Sequence, residues 1–179
     1  MRIISGHLKG RRLTAPKQLP VRPTTDRAKE ALFNILNHYF DWDEITALDL
    51  FSGTGNIAYE LASRGVPEVT AVDQNSHCTR FIYKTTNQLE LPIKVVKQAV
   101  FPFIEKTPLQ VDFVFADPPY AFSTQELDAL IEKVTGGSLL RPDGVFVLEH
   151  DKHKTLTPRE NCLETRRYGN SSFAFYSKK

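Results

Sequence analysis

The chain has few of the residues that would staple or anchor it. Its 179 residues include only two cysteines, Cys78 and Cys162, without metal-ligand spacing, which leaves neither a disulfide scaffold nor a zinc site to expect. Both are read as reduced thiols of a cytoplasmic protein. No stretch approaches the ~18 apolar residues of a membrane span, and Met1-Arg2-Ile3-Ile4 leads into a glycine and basic residues rather than a signal core. The five histidines are scattered, so no metal centre is expected. Internal repeats and low-complexity tracts are lacking too. What is present is ordinary for a soluble globule, with 41% apolar and 25% charged residues. A chain of this length suits one domain that buries about 70% of its unfolded surface.

Two short motifs rise above that background. Asp117-Pro118-Pro119-Tyr120 follows directly on the apolar run Val111-Asp112-Phe113-Val114-Phe115-Ala116. Such a run reads as a buried strand of a parallel sheet, and two prolines end it abruptly. The tetrapeptide therefore lies at a strand's carboxyl end, where open α/β sheets bind ligands. Pro118 and Pro119 have no N–H and a fixed φ, which makes a stiff turn with bare carbonyls. Asp117 adds acceptors only, and Tyr120 adds a flat apolar face with a polar tip. That cluster suits a planar group bearing an N–H2, its hydrogens going to Asp117 and the Pro118 carbonyl while its ring stacks on Tyr120. Taken alone, Asp-Pro-Pro is also common turn chemistry.

The second motif is Ala47-Leu48-Asp49-Leu50-Phe51-Ser52-Gly53-Thr54-Gly55-Asn56, a short strand running into a glycine turn and a helix that continues through Leu61. Gly53-x-Gly55-x-x-Ala58 loosely matches the dinucleotide fingerprint, with Asp73 20 residues beyond Gly53 as the ribose-binding acid. Asp49 argues against a dinucleotide, because a carboxylate ahead of the turn would repel a pyrophosphate. It would attract the ammonium of S-adenosylmethionine, a cofactor without phosphate. Asp73 ends the next strand, Glu68 to Asp73, and can accept both ribose hydroxyls. Its alternative role is to cap the helix beginning near Ser76.

With these residues the chain resembles the class I S-adenosylmethionine-dependent methyltransferases that act on exocyclic amines, and more narrowly the bacterial 16S rRNA guanine-N2 methyltransferases of the RsmD type. The narrower resemblance is carried by Met1 to Leu13, by Arg22-Pro23-Thr24-Thr25-Asp26-Arg27, by Ala31 to Leu36 and by Arg167 to Phe173. It implies an α/β fold, a Rossmann-like, mostly parallel seven-stranded sheet with helices on both faces and a C-terminal antiparallel hairpin. It implies catalytic Asp117, Pro118, Pro119 and Tyr120. It also implies a cofactor site formed by Thr25, Asp49, Phe51, Ser52, Gly53, Thr54, Gly55, Asn56, Asp73, Gln74, Gln98 and Ala99. Members of the family often carry Glu where this chain has Asp73. A polar group usually meets the adenine after the third strand, where this chain offers Gln98 or backbone. The implied partner is 16S rRNA, within an assembled or assembling small ribosomal subunit. A DNA adenine-N6 or protein glutamine-N5 methyltransferase, and a non-catalytic RNA-binding assembly factor, remain open at this stage.

A net charge of only +2 conceals an asymmetry: residues 1–30 carry +6 and the rest −4. A basic arm on an acidic body suits phosphate contact, and Arg2, His7, Lys9, Arg11, Arg12 and Arg22 are the expected RNA-binding residues. Within a single methyltransferase domain of residues 1–179, the arm, residues 1–22, is expected to be a β-hairpin from Arg2 to Ala15 followed by a linker, ahead of a catalytic core of residues 23–179. Helical spacing then predicts a helix from about Thr25, its N-cap, to His38. Strands are expected near Thr46–Leu50, Val69–Asp73, Ile93–Val96, Val111–Ala116 and Val145–Glu149, with a helix around Leu127–Val134 stopped by Gly136-Gly137. Cys162–Tyr168 and Ser172–Ser177 flank Gly169-Asn170 as an antiparallel hairpin.

Overall fold

The structure, a computed structural model, describes residues 1–16, 19 and 24–179. Among the described residues, seven strands form one sheet in the order β3-β2-β1-β4-β5-β7-β6. In chain order they are β1 (Thr46–Leu50), β2 (Glu68–Asp73), β3 (Ile93–Lys97), β4 (Val111–Ala116), β5 (Leu140–Asp151), β6 (Cys162–Tyr168) and β7 (Ser171–Ser177). The first five pair in parallel. β7 runs antiparallel between β5 and β6. Five α-helices among the described residues accompany them: α1 (Asp26–Leu36), α2 (Asn56–Ser63), α3 (Ser76–Leu89), α4 (Val100–Lys106) and α5 (Thr124–Gly136).

Period-two alternation on the strands divides the core into two layers. Ala47, Val69, Ala71, Phe113, Phe115, Val147 and Phe173 pack with α1, α2 and Ile82 of α3. Leu48, Leu50, Val72, Val114, Ala116, Phe146 and Leu148 pack with α4 and α5 on the opposite face. The chain winds outward from β1 through β2 to β3, then crosses back to β4 beside β1. The sheet therefore has its topological switch point between β1 and β4, where a crevice opens at the strand ends. Asp117, just past β4, borders it, and Asp49 lies near the end of β1.

The amino-terminal segment departs from a regular hairpin. Its two arms meet in a single antiparallel bridge, Arg2 with Arg12, and backbone bonds from Ile3 N to Arg11 O and from Gly10 N to Ile3 O close the turn at 2.9 Å. The reason is tertiary: the amides of Ile4, Ser5, His7 and Leu8 are held by α2. Glu60 accepts from the Ile4 and Ser5 amides at 2.8 and 3.0 Å, and Ser63 accepts from the Leu8 amide at 3.0 Å. Gly6 lies so close to α2 that a Cβ there would sit 1.7 Å from the Ser63 carbonyl oxygen. Ile3 is buried in the core. The segment is thus part of the packed body.

Candidate active site

Two cavities open at the carboxyl ends of the strands. The first, about 400 Å³, is lined by Phe51, Gly53, Asp73, Gln74, Asn75, Cys78 and Val100 together with Asp117, Pro118, Pro119 and Tyr120. The second, about 480 Å³, is lined by Thr24, Thr25, Arg27, Glu149, Arg167 and the β6–β7 turn, again with Asp117 and Tyr120. Asp117 and Tyr120 therefore form the wall between the two. Both volumes fall in the range of small-molecule sites.

The loop after β1 is built by its own polar groups. Phe51 takes a positive φ of 57°, a conformation costly for a bulky residue, and its ring meets Phe122 edge-on at 5.4 Å. Ser52 donates its hydroxyl to Asp49 O at 2.6 Å and its amide to Val72 O at 3.1 Å. Gly55 sits at φ 81° as the N-cap of α2, where a side chain would be strained and a Cβ would lie 2.9 Å from the Tyr59 ring. A glycine cap has no side-chain acceptor, and Asp49 supplies one: its Oδ2 accepts from the Ala58 amide at 3.1 Å. A carboxylate in a helix's first turn is also favoured by the helix dipole.

That arrangement revises several expected roles. Asp49 is buried beneath the loop and does not line the first cavity; burial pushes its carboxyl up to about 8, with the Asp73 charge adding to the rise. Thr54 donates to Met1 Sδ at 3.7 Å. Asn56 accepts from Lys29 Nζ at 2.8 Å and donates to Thr24 O at 3.1 Å. Ser52, Thr54 and Asn56 are all buried, so they brace the loop and its neighbours instead of lining the cavity. Thr25 caps α1 through the Ala28 amide at 3.2 Å and lines the second cavity, not the first. Gln98 donates its amide to Asp73 O at 3.1 Å, and Val100, in place of Gln98 or Ala99, forms the cavity wall after β3.

Phe51, Gly53, Asp73 and Gln74 do meet at the first cavity, as their spacing suggests. Asp73 accepts from Gly53 N and Asn75 N, both at 2.8 Å, which aims the carboxylate into the loop. Asn75, further along the same turn, is the N-cap of α3, its Oδ1 accepting from His77 and Cys78. Capping therefore falls to Asn75, and Asp73 stays at the cavity.

Asp117 is part-buried and its carboxyl is raised well above the usual range, by burial first, then by the charges of Glu149 and Asp49. Pro118 is buried while Tyr120 is half exposed, its ring available for stacking. Lys154, from the segment after β5, donates its ammonium to the Tyr120 carbonyl at 2.6 Å and also to that of Phe122, which ties down the turn after the prolines. Glu149 is the acid that sequence reasoning missed. It is buried in β5, and Thr24 donates its hydroxyl to Glu149 Oε2 at 2.8 Å. The strand-end rule that singled out Asp73 applies equally to Glu149, after Val145-Phe146-Val147-Leu148. Among the described residues no group of three or more His, Cys, Asp or Glu is placed to hold a metal ion.

Of the expected RNA-binding residues, Lys9, Arg11 and Arg12 are exposed. Arg2 is engaged with Asp26 at 3.3 Å, and His7 Nδ1–H donates to Ser63 O at 3.0 Å, so both help to dock the segment on the body. Arg22 lies outside the described residues.

Comparison with known proteins agrees with this geometry. The family described as "Conserved hypothetical protein 95" matches residues 1–177. The chain belongs to this family, that of the RsmD-type rRNA methyltransferases. It is 31% identical to the Haemophilus influenzae ribosomal RNA small subunit methyltransferase D over 183 residues, covering 98% of this chain and 93% of that one. It superposes on a hypothetical protein of Thermus thermophilus with a TM-score of 0.85 and 27% identity, covering 99% of each. A more distant fold neighbour, at 20% identity and a TM-score of 0.67, is a T. thermophilus 16S rRNA N2 methyltransferase solved with AdoMet and guanosine; 87% of this chain and 44% of that one are covered. The class I methyltransferase fold expected from the sequence is the fold observed.

Proposed function

We propose that this RsmD-type rRNA methyltransferase transfers the methyl group of S-adenosylmethionine to the exocyclic N2 amine of one guanine in the 16S rRNA of the small ribosomal subunit. The observation that carries this reading is the wall shared by the two cavities. A group in the first and a base in the second would meet at Asp117 and Tyr120.

The first cavity fits the cofactor by its chemistry. Its acid, Asp73, suits ribose hydroxyls and would repel a phosphate-bearing ligand, and the buried Asp49 below the loop adds negative potential only once a cationic ligand favours its ionisation. The cofactor, when bound, supplies an electrophilic methyl on a sulfonium. The rest is the work of the chain. Asp117 and the Pro118 carbonyl accept the hydrogens of the target amine, align its lone pair and stabilise the positive charge that grows on nitrogen. Tyr120 stacks on a base taken out of its helix, which restores about 1–3 kcal/mol of lost stacking. Lys154 holds the turn that presents both.

Electrostatics give a first test. With a carboxyl raised to about 8, Asp49 is protonated in the free protein at pH 7. A cationic cofactor lowers that value again, so binding should release protons, and affinity should rise as the pH is brought up towards about 8. Calorimetry in buffers of different ionisation enthalpy measures the release, and Asp49→Asn should remove it. Proton uptake on binding would contradict this account.

RNA contact is assigned to the exposed Lys9, Arg11 and Arg12. Replacing all three by glutamine should weaken RNA binding and flatten the dependence of log K on log salt by about 2, since each phosphate contact contributes ~0.7 to 0.9. The glutamines leave Ile3, Gly6 and the Glu60 contacts in place, so cofactor affinity should hold. An unchanged salt slope would assign the RNA contact to another face. Activity itself is tested by incubating the protein with methyl-labelled cofactor and small subunits that lack the modification. Label is expected in RNA; label in protein alone would refute the reading.

A further inference from the structure

A third cavity, of about 560 Å³, is lined by α3 on one side, through Arg80, Phe81 and Lys84, and by Pro16 and Leu19 on the other. Among the described residues no Asp or Glu lines it. α3 itself carries Arg80 and Lys84 and no acidic residue, in a stretch of the chain, residues 31–179, whose net charge is −4. The two cations stand one turn apart, where like charges destabilise a helix. Packing does not account for them, because both are exposed and neither side chain has an ion pair or hydrogen bond with another described residue. Phe81 beside them is only partly buried. The rim of the cavity reaches His77, whose chain neighbour Cys78 lines the first cavity, and the opposite wall follows on from the exposed Arg11 and Arg12.

Cations at the rim of an apolar wall suit an unpaired nucleotide, whose phosphates meet the charges and whose base lies on an aromatic ring. We propose that this cavity holds an unpaired nucleotide of the rRNA outside the target site, its phosphates on Arg80 and Lys84 and its base on Phe81, against Pro16 and Leu19. The inference rests on the rRNA substrate class and not on the choice of guanine N2. Charge and shape both favour this occupant: a carboxylate side chain of a protein partner would meet the cations and leave the apolar wall bare. A strand seated here lies on the helix whose first turn borders the first cavity, so it sets the approach of the target base without touching the reacting atoms.

The test measures binding of the protein to unmodified small subunits and to protein-free 16S rRNA over a range of salt. Arg80→Gln combined with Lys84→Gln should flatten the slope of log K on log salt by about 1.4–1.8, two phosphate contacts at ~0.7 to 0.9 each, and weaken binding to both targets roughly 10–100-fold near about 0.1 M salt. Phe81→Leu keeps an apolar side chain in the packing and removes the ring. It should weaken binding at least ~5-fold at every salt concentration with the slope unchanged, and Phe81→Tyr should restore it. Lys94→Gln combined with Lys106→Gln removes the same charge from exposed positions at the amino end of β3 and the carboxyl end of α4, and should leave the slope at its wild-type value. Calorimetry with S-adenosylmethionine shows which variants are folded, and the exposed Arg80 and Lys84 pair keeps the test decisive if Phe81→Leu is not. A wild-type slope in that pair, or an equal change in the Lys94 and Lys106 control, would overturn the proposal. Weaker binding to subunits alone would make the occupant a ribosomal protein and overturn it too, and wild-type affinity in folded Phe81→Leu would overturn the seating of a base. Failure of the wild type to bind either target would instead refute the rRNA reading itself.

Discussion

Asp117→Ala is expected to lower kcat by about 10²–10³, the usual loss when one preorganised transition-state group is removed, while cofactor affinity stays near the wild-type value. The carboxylate lies on the wall between the cavities, and burial beside Glu149 and Asp49 raises it well above its ordinary range. An acceptor held in such a site is already oriented when charge develops on the amine, so its removal affects the barrier more than ground-state binding. Single-turnover kinetics and calorimetry separate the two effects. Tyr120 provides the contrast. Tyr120→Ala should weaken productive substrate binding, and Tyr120→Phe should be mild because stacking survives. A Tyr120→Phe loss as large as that of Asp117→Ala would require the hydroxyl to carry chemistry.

The largest effect on stability is expected at Glu60, far from the motifs. Its side chain has no exposure and lies 3.3 Å from the equally buried Lys29 ammonium. It also pairs with Arg64 Nε at 2.9 Å and accepts the Ile4 and Ser5 amides. Burial, with a small contribution from the Arg64 charge, pulls the Lys29 ammonium below its usual pKa, with Glu60 the largest influence opposing that pull. Glu60→Ala would leave a buried cation with Asn56 and the Arg2 carbonyl as its remaining acceptors, and would leave two amides without their acceptor. The cost should be about 3–5 kcal/mol, a large share of the ~5–15 kcal/mol that holds a domain folded. Denaturant titration checks it. A change below about 1 kcal/mol would mean that water replaces the carboxylate at this site, as at a surface pair.

Glu60 also shows where sequence reasoning stops. β1, β4 and β6 lie at the expected residues because runs such as Val111–Ala116 are apolar, β-rich and sharply ended by turn residues. β5 was expected only from Val145 to Glu149. Arg141-Pro142-Asp143-Gly144 reads as a turn, yet Leu140 pairs with Val111 and a register shift before Phe113 lets the strand run from Leu140 to Asp151. α4 escaped notice because Pro102 reads as a breaker, although its place in the first turn costs no hydrogen bond. At the site, Asp73, Gly53 and Asp117 were legible because strand ends and glycine turns are local signals. The buried places of Asp49, Thr54 and Asn56, and the docking of the amino-terminal segment on α2, depend on partners as many as 58 residues away, and no local pattern encodes them.

The central claim is a methyl transfer to guanine N2, and nucleoside mass spectrometry tests it most directly. Small subunits lacking the modification are incubated with the protein and S-adenosylmethionine carrying a deuterated methyl group, and their 16S rRNA is digested to nucleosides. The account predicts deuterated N2-methylguanosine arising from a single position, and its loss with Asp117→Ala. Deuterated N6-methyladenosine in its place, or label confined to ribosomal protein, would contradict it.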